Sequence, residues 1–445
     1  MLISRYTFLF DNEGLYYVYN SLSNALVEID QSSYFLLKEV QLKGREISES
    51  DFEDSFIKML NDKRFICNSL EDEFLYYKAL VQPLREQREF MHLTIAPTMD
   101  CCFNCFYCFE HNKSRKYMSS DVMDAIIKYV SQLSGLKKIL LSWFGGEPLM
   151  APDIIRSFYK KLRNSFDGEI ISDIITTGFH INRNTTLLFK EIGISSVQIT
   201  LDGNREQHNQ IKYIEHCDDV FTKTLDNVNL LVEECPEIEI VFRVNITKQN
   251  ANEYPELFKK LYKMFRDKKI SVSPAIVKNR SKINSCGTCS SDVYFSKNEF
   301  TDYLIDLLYT HGIVTPFIKY PSDKMCECAI RDKMAMAFDP EGYAYKCWEK
   351  IGDKKYSIGR LNSDGILSDL NITELNRELY GADPFCNPIC TKCKYLPICN
   401  GGCPLDRLQN EFEGYNNELC SFSKGRINDF LRMHLMLKGL GFTNK

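Results

Sequence analysis

Residues 91–315 alternate short apolar runs with amphipathic stretches. The runs HLTIAPT, KKILLSW, EIISDIITT, SVQITLD, IEIVFRVNIT and ISVSPAI are rich in β-branched residues and predict strands. Between them, SSDVMDAIIKYVSQL, PDIIRSFYKKLRN and ANEYPELFKKLYKMF show helical spacing. In the first of these, Val122, Ile126, Tyr129 and Leu133 line one face. Six β/α repeats predict an α/β fold whose parallel sheet winds into a partial (β/α)6 barrel of the TIM type. Ligand chemistry then belongs at the C-terminal ends of the strands.

Residues 1–80 read as a small α+β domain. TFLFDNEG and LYYVYNSLSNALVEID predict short strands broken by Asn-Glu-Gly and Ser-Asn turns. QSSYFLLKEVQL and SESDFEDSFIKMLNDKRFI predict helices, the second with Ser48 or Ser50 as N-cap. EDEFLYYKALVQPLREQREF predicts a charged helical connection ending near Phe90, with 81–90 as linker. Residues 316–445 form a third, cysteine-dense region.

Composition narrows the chemistry. Lys and Arg number 55 against 60 Asp and Glu, a net charge of −5, which leaves no basic footprint for nucleic acid or anionic membrane. No cleavable signal and no apolar run of spanning length is evident, so a cytoplasmic location is expected. Eighteen cysteines in 445 residues then point to metal or redox chemistry rather than disulfides. Cys67, Cys217 and Cys235 stand alone and read as plain thiols. Cys286 and Cys289 form a pair in a polar stretch.

The first strand runs into MDCCFNCFYCFE, where Cys101, Cys105 and Cys108 are spaced C-x3-C-x2-C, with Tyr107 before the last. Three thiolates so close can share one cubane cluster and leave its fourth iron without a protein ligand. A zinc knuckle completed by His111 is the alternative, and Cys102 competes with Cys101 as ligand. The loop resembles the signature of the radical S-adenosylmethionine superfamily. In that family the motif matching Gly145, Gly146 and Glu147 in WFGGEP meets the cofactor's amino group. Glycines let backbone approach a ligand, and a carboxylate pairs with an ammonium. The resemblance further implies cofactor contacts from Tyr107, from Thr200 in TLDG and from Arg243 in RVNIT, which shares a strand face with Asn245. TTG at Thr176–Gly178 stands where relatives have TNG, and His208 with Lys212 where they have His-x3-Arg.

Cys328, Gly342-x4-Cys347, Cys390-x2-Cys393-x5-Cys399-x3-Cys403 and Cys420 form a second array, with Cys326 an alternative first member and Cys386 a further candidate. Zinc ribbons are one reading of such spacing. The array resembles the SPASM domain, which implies two auxiliary [4Fe–4S] clusters: one on Cys390, Cys393, Cys399 and Cys420, the other on Cys347, Cys403 and Cys328 or Cys326. The combined resemblance implies reductive cleavage of S-adenosylmethionine to a 5′-deoxyadenosyl radical, with three [4Fe–4S] clusters in all. It also implies a reductant such as flavodoxin or ferredoxin, and oxidation or crosslinking (thioether, C–C or C–O) of a ribosomally made precursor peptide. Residues 1–80 are similar to the winged-helix-like recognition element that binds a leader peptide by strand addition. Two other functions compete: sulfatase maturation, disfavoured because Trp348 rather than Asp follows Cys347, and a non-catalytic iron–sulfur electron carrier.

Overall fold

The alternating segments at the start of the chain pair as antiparallel strands. In the computed structural model, which describes residues 1–48, 50–110, 114–278, 293–322, 324–325 and 328–440, β1 (Leu2–Ile3) pairs with β5 (Ile66–Cys67). Strands β2 (Thr7–Asn12), β3 (Leu15–Asn20) and β4 (Leu26–Ile29) form a sheet in that order. Glu13 and Gly14, with φ of 52° and 82°, close β2 on β3 as a two-residue primed turn. Helix α1 (Gln31–Lys43) is capped by the Asp30 carboxylate, which accepts from Ser33 N, and ends at left-handed Gly44. Helix α2 (Asp54–Asp62) starts after Glu53, so neither Ser48 nor Ser50 caps it. Those serines instead close a turn in which Ser48 N donates to Asp51 Oδ2 at 2.9 Å. Helix α3 (Leu70–Glu86) runs through Pro83 and takes in most of the expected linker.

By their contacts, residues 1–87, 318–333 and 377–445 form one compact unit, and residues 88–317 and 334–376 a second. This differs from the expected division into 1–80, 91–315 and 316–445. In the first unit, Val18 and Ile29 pack with Tyr34, Leu37, Val40 and Leu60 of α1 and α2. The opposite face of the sheet, with Phe8, Phe10, Tyr17 and Tyr19, packs on Ile398, Ile427 and Leu431. The N-terminal sheet is therefore a middle layer, and both faces need apolar residues. That explains why β2 and β3 do not alternate cleanly between apolar and polar.

The second unit is the expected partial barrel. Strands β6 (Phe90–Ile95), β7 (Lys138–Trp143), β8 (Glu169–Thr176), β9 (Ile194–Leu201), β10 (Glu239–Ile246) and β11 (Ile270–Ile276) pair in parallel and in chain order. Helices α4 (Ser120–Ser131), α5 (Pro152–Ser165), α6 (Arg183–Ile192), α7 (Arg205–Ile211), α8 (Val220–Glu234), α9 (Tyr254–Met264) and α10 (Lys297–Tyr309) follow the strands. Period-two alternation sorts the strand residues onto two faces. Leu93, Leu141, Ile199 and Phe242 are fully buried on the outer face, where Trp143 meets Phe158 of α5 at 5.6 Å. The half-buried inner face carries Thr94, Ser142, Asp173, Gln198, Thr200 and Ser273.

Four short strands extend this sheet: β12 (Met336–Phe338), β13 (Tyr343–Tyr345), β14 (Gly359–Leu361) and β15 (Leu367–Ser368). Strand β12 pairs parallel to β6, taking the edge that an open barrel leaves at its first strand. Helix α4 is consequently covered on two sides. Met123, Ile127 and Val130 are buried, while Tyr129 meets Phe338 of β12 at 5.7 Å. Of the expected stripe only Ile126 is fully buried, and Leu133 lies past the helix end. Among the described residues, no helix is long and apolar enough to cross a membrane.

Ile199→Ala removes a fully buried branched side chain from the outer face. It should lower the unfolding free energy by about 2–5 kcal/mol, read by denaturant titration of the apo chain. A change within about 0.5 kcal/mol, the range of surface substitutions, would contradict this packing.

Candidate active site and metal centres

Strand β6 ends at Ile95, and the cysteine loop begins three residues later. Its base is braced by the end of β7. Gly146 N donates to Thr98 O at 3.2 Å and Glu147 N to Asp100 O at 2.8 Å. A Cβ on Gly145, which sits at φ 109°, would come within 2.4 Å of Thr98 O, and one on Gly146 within 2.2 Å of Asp100 O. The two glycines are thus required by chain-on-chain contact, not only by approach to a ligand as the sequence reading has it. Phe103, buried within the loop, meets Phe179 edge-on at 5.5 Å. Cys108 N donates to Cys105 O at 3.1 Å, turning the last two thiols onto one side of a tight bend.

Glu147 is fully buried and caps the short turn Pro148–Met150. Its Oε1 accepts from Leu149 N (3.0 Å) and Thr176 Oγ1 (2.7 Å), and its Oε2 from Thr177 N (2.8 Å) and Thr177 Oγ1 (2.6 Å). Four donors fill the acceptor sites of a carboxylate. Glu147 thereby locks the end of β7 to the end of β8, and the threonines of TTG serve it. Cys102 lies beside this group. A hydrogen bond with Cys101, then burial, then the Glu147 charge push its thiol far above the ordinary range, so it stays protonated next to Cys101.

The other side of the loop is held through Tyr107, whose hydroxyl donates to Asp202 Oδ1 at 2.6 Å. Asp202, at the end of β9, is 1% exposed. It also accepts from Asn245 Nδ2 at 3.0 Å, and its Oδ2 forms an ion pair with the buried Lys212 ammonium. Burial opposes the Asp202 charge, but the Lys212 ammonium holds its carboxyl below the usual range. Burial and then Lys212 push His208 down to about 3, so it is a neutral acceptor for Asp202 N at 3.3 Å. The lysine at the position of the family's arginine is therefore a structural counter-ion. This network lines a cavity of about 220 Å³ with Phe106, Tyr107, Asp202, Gln207, Asn245 and Asn250 among its walls.

Thr200 and Arg243 are cross-strand neighbours on β9 and β10, with Ser273 next on β11. Burial lowers the Arg243 pKa, and the Glu349 carboxylate opposes that shift. Arg243 keeps an exposed surface, and no described group hydrogen-bonds its guanidinium, so the cation is open to an anionic ligand group. Asn245, which shares the strand face of Arg243, belongs to the Asp202 network.

Gly342 sits at φ 82° in the β12–β13 turn, where Asp339 Oδ1 accepts from Glu341 N and Tyr343 N. This explains the glycine of the G-x4-C spacing: β13 then delivers Cys347 at its exit. The next residue, Trp348, stacks on Phe144 at 5.5 Å, and Phe144 stacks on Phe109 at 6.2 Å. Three rings thus join the residue after Cys108 to the residue after Cys347.

In the first unit, Cys390, Cys393, Cys399 and Cys420 share one neighbourhood. Cys393 lies within electrostatic reach of Cys390, Cys399 and Lys424, and Lys424 Nζ donates to Cys420 Sγ at 3.1 Å. The late cysteine arrives through a tight crossing, since a Cβ on Gly402 would stand 1.8 Å from Leu419 O. Arg331 and Arg407 are buried here without an ion pair to a carboxylate. Arg407 Nη2 donates to Cys390 Sγ at 2.9 Å. Burial lowers the Arg331 pKa to about 10, and Cys328 opposes that shift. Buried guanidiniums need a counter-charge, and thiolates of a metal centre supply one, so this donor set fits an anionic cluster.

Not every expected ligand is placed. Cys326, His111, Cys286 and Cys289 lie outside the described residues. Cys386 is exposed, and Cys328 and Cys403 belong to the first unit while Cys347 belongs to the second. Among the described residues no three His, Cys, Asp or Glu side chains form a single-ion site.

Residues 95–261 match the family model of the Radical SAM superfamily. The chain is similar to the cysteine-type anaerobic sulfatase-maturating enzyme of Clostridium novyi (strain NT), 23% identical over 72% of this chain and 89% of the relative. The serine-type enzyme of Bacteroides thetaiotaomicron is 22% identical over 71% of this chain and 82% of the relative. Among solved structures, native anSMEcpe with bound AdoMet and Cp18Cys peptide superposes with a TM-score of 0.58 at 18% identity, covering 79% of this chain and 98% of that one.

Asp202→Asn leaves Lys212 as an uncompensated buried cation and should cost about 3–5 kcal/mol of stability. Tyr107→Phe loses one hydrogen bond and should cost about 0.5–1.5 kcal/mol. Denaturant midpoints of the two variants measure the order, and equal costs would contradict the network as described.

Proposed function

We propose that the chain is a radical SAM enzyme with a SPASM-type C-terminal domain, and that it oxidatively modifies or crosslinks a ribosomally made precursor peptide. The observation that carries the peptide reading is the edge of β4. On the other edge of that sheet, Thr7 O and Asp11 O accept from Gln41 and Arg432. No described residue hydrogen-bonds the outer backbone of β4, so an extended leader can add there as a fourth strand.

The family uses S-adenosylmethionine and a [4Fe–4S] cluster, and when bound that pair supplies a 5′-deoxyadenosyl radical. The residues of this chain do the rest. Cys101, Cys105 and Cys108 would hold the cluster, the glycine–glutamate turn fixes the loop that carries them, and Arg243 with Thr200 would offer a cation and a hydroxyl to the cofactor's polar groups. Tyr107 closes the loop over the inner wall, where half-buried side chains limit water. A cluster on Cys390, Cys393, Cys399 and Cys420 is supported by the cations around those thiols. A third is expected from the family pattern alone, and a small redox protein of the flavodoxin or ferredoxin class is the expected reductant.

A second reading, oxidation of a cysteine or serine in a folded-protein precursor, is favoured by the names of the curated relatives. Trp348, half exposed beside Cys347, offers no carboxylate at the position those maturases use for one.

Anaerobic reconstitution should give about 12 irons per chain, and a count near four would remove the auxiliary clusters. Cys105→Ala should abolish 5′-deoxyadenosine release. Incubation with the product of a short neighbouring reading frame and S-adenosylmethionine should remove two hydrogens per crosslink, read by mass spectrometry. Modification of a sulfatase-derived peptide instead would favour the second reading.

A further inference from the structure

The four-cysteine group of the first unit carries more positive charge than ligation requires. Arg407 is buried and fixed at two points: its Nε donates to Gly401 O, and its Nη2 to Cys390 Sγ at 2.9 Å. Gly401 is held at φ 76°, and a Cβ there would stand 2.5 Å from Pro384 Cβ and 3.2 Å from Arg407 Nε, so the carbonyl that holds the guanidinium sits on a backbone only glycine fits. On another side Lys424 donates to Cys420 Sγ at 3.1 Å, from an exposed position. Lys394, whose ammonium lies 4.3 Å from the Phe8 ring centre, is within electrostatic reach of Cys393. Among the described residues, no carboxylate forms an ion pair with Arg407 or Lys424.

We propose that Arg407 and Lys424 raise the reduction potential of the cluster held by Cys390, Cys393, Cys399 and Cys420. The inference rests on the cluster reading given above. The couple is one-electron, from the 2+ to the 1+ state of the cubane, with no bond made or broken and no proton moved. Reduction adds a negative charge, so a fixed cation or an N–H donor at a ligand sulfur stabilises the reduced form more than the oxidised one. The buried arginine acts in a low-dielectric setting and dominates, while the exposed lysine is screened by solvent and salt.

The test is an EPR-monitored anaerobic redox titration of the reconstituted full chain, with this cluster identified as the signal lost in Cys393→Ala. Arg407→Gln should lower the reduction equilibrium constant at least tenfold, which is about 59 mV for one electron. Lys424→Met should lower it by a smaller factor, and the remaining cluster signals should not move. Unchanged potentials in both variants at full iron content overturn the proposal. If Arg407→Gln loses this cluster, Lys424→Met decides: a fall supports the assignment, and no shift overturns it. Metal analysis separates these results from failure of the underlying reading, because zinc in place of four irons at these cysteines would remove the cluster itself.

Discussion

Two backbone segments lie so close at the end of the barrel's first two strands that no side chain fits between them. Thr98–Asp100 and Gly145–Glu147 share two amide hydrogen bonds, and the space a Cβ would fill is taken by carbonyl oxygens. The three-cysteine loop starts from one of these segments. Its position is therefore set by main chain rather than by rotamers, which suits a centre whose ligands must be held to a fraction of an ångström. Glu147 extends the lock to the third strand through Thr176 and Thr177, and Asp202 closes it from the fourth through Tyr107.

Buried charge is the second organising element, and it is used differently in the two units. In the barrel, Asp202 and Lys212 neutralise each other and leave Arg243 as the open cation of the inner wall. In the other unit, no described carboxylate forms an ion pair with Arg331 or Arg407, and both lie by thiols. A charge left unpaired in an interior is costly, so each such group marks where an anion belongs.

The sequence displays the strands of the barrel and the spacing of its cysteines because both depend on local pattern. The six apolar runs became β6–β11, and G-x4-C became a hairpin exit, with the glycine needed for its turn. Roles that depend on partners far along the chain were hidden. Glu147 reads only as a ligand for an ammonium, and its structural role shows once the threonines thirty residues later are seen to donate to its carboxylate. Val122 and Tyr129 read as the core stripe of α4 because nothing local shows that β12–β14 cover a second side. Asp202, inside a motif quoted for its threonine, could have been found from one signal: an acid at a strand end with a lysine ten residues on, at the end of a short helix.

The central claim is that the three-cysteine loop holds a cluster with one iron free for S-adenosylmethionine, positioned by the glycine–glutamate lock. EPR of the reduced, reconstituted chain with and without S-adenosylmethionine tests it most directly. The account predicts that the cofactor alters one cluster signal, and that this response disappears in Gly146→Ala while the other signals persist. Identical spectra with and without the cofactor in the unmodified chain would contradict it.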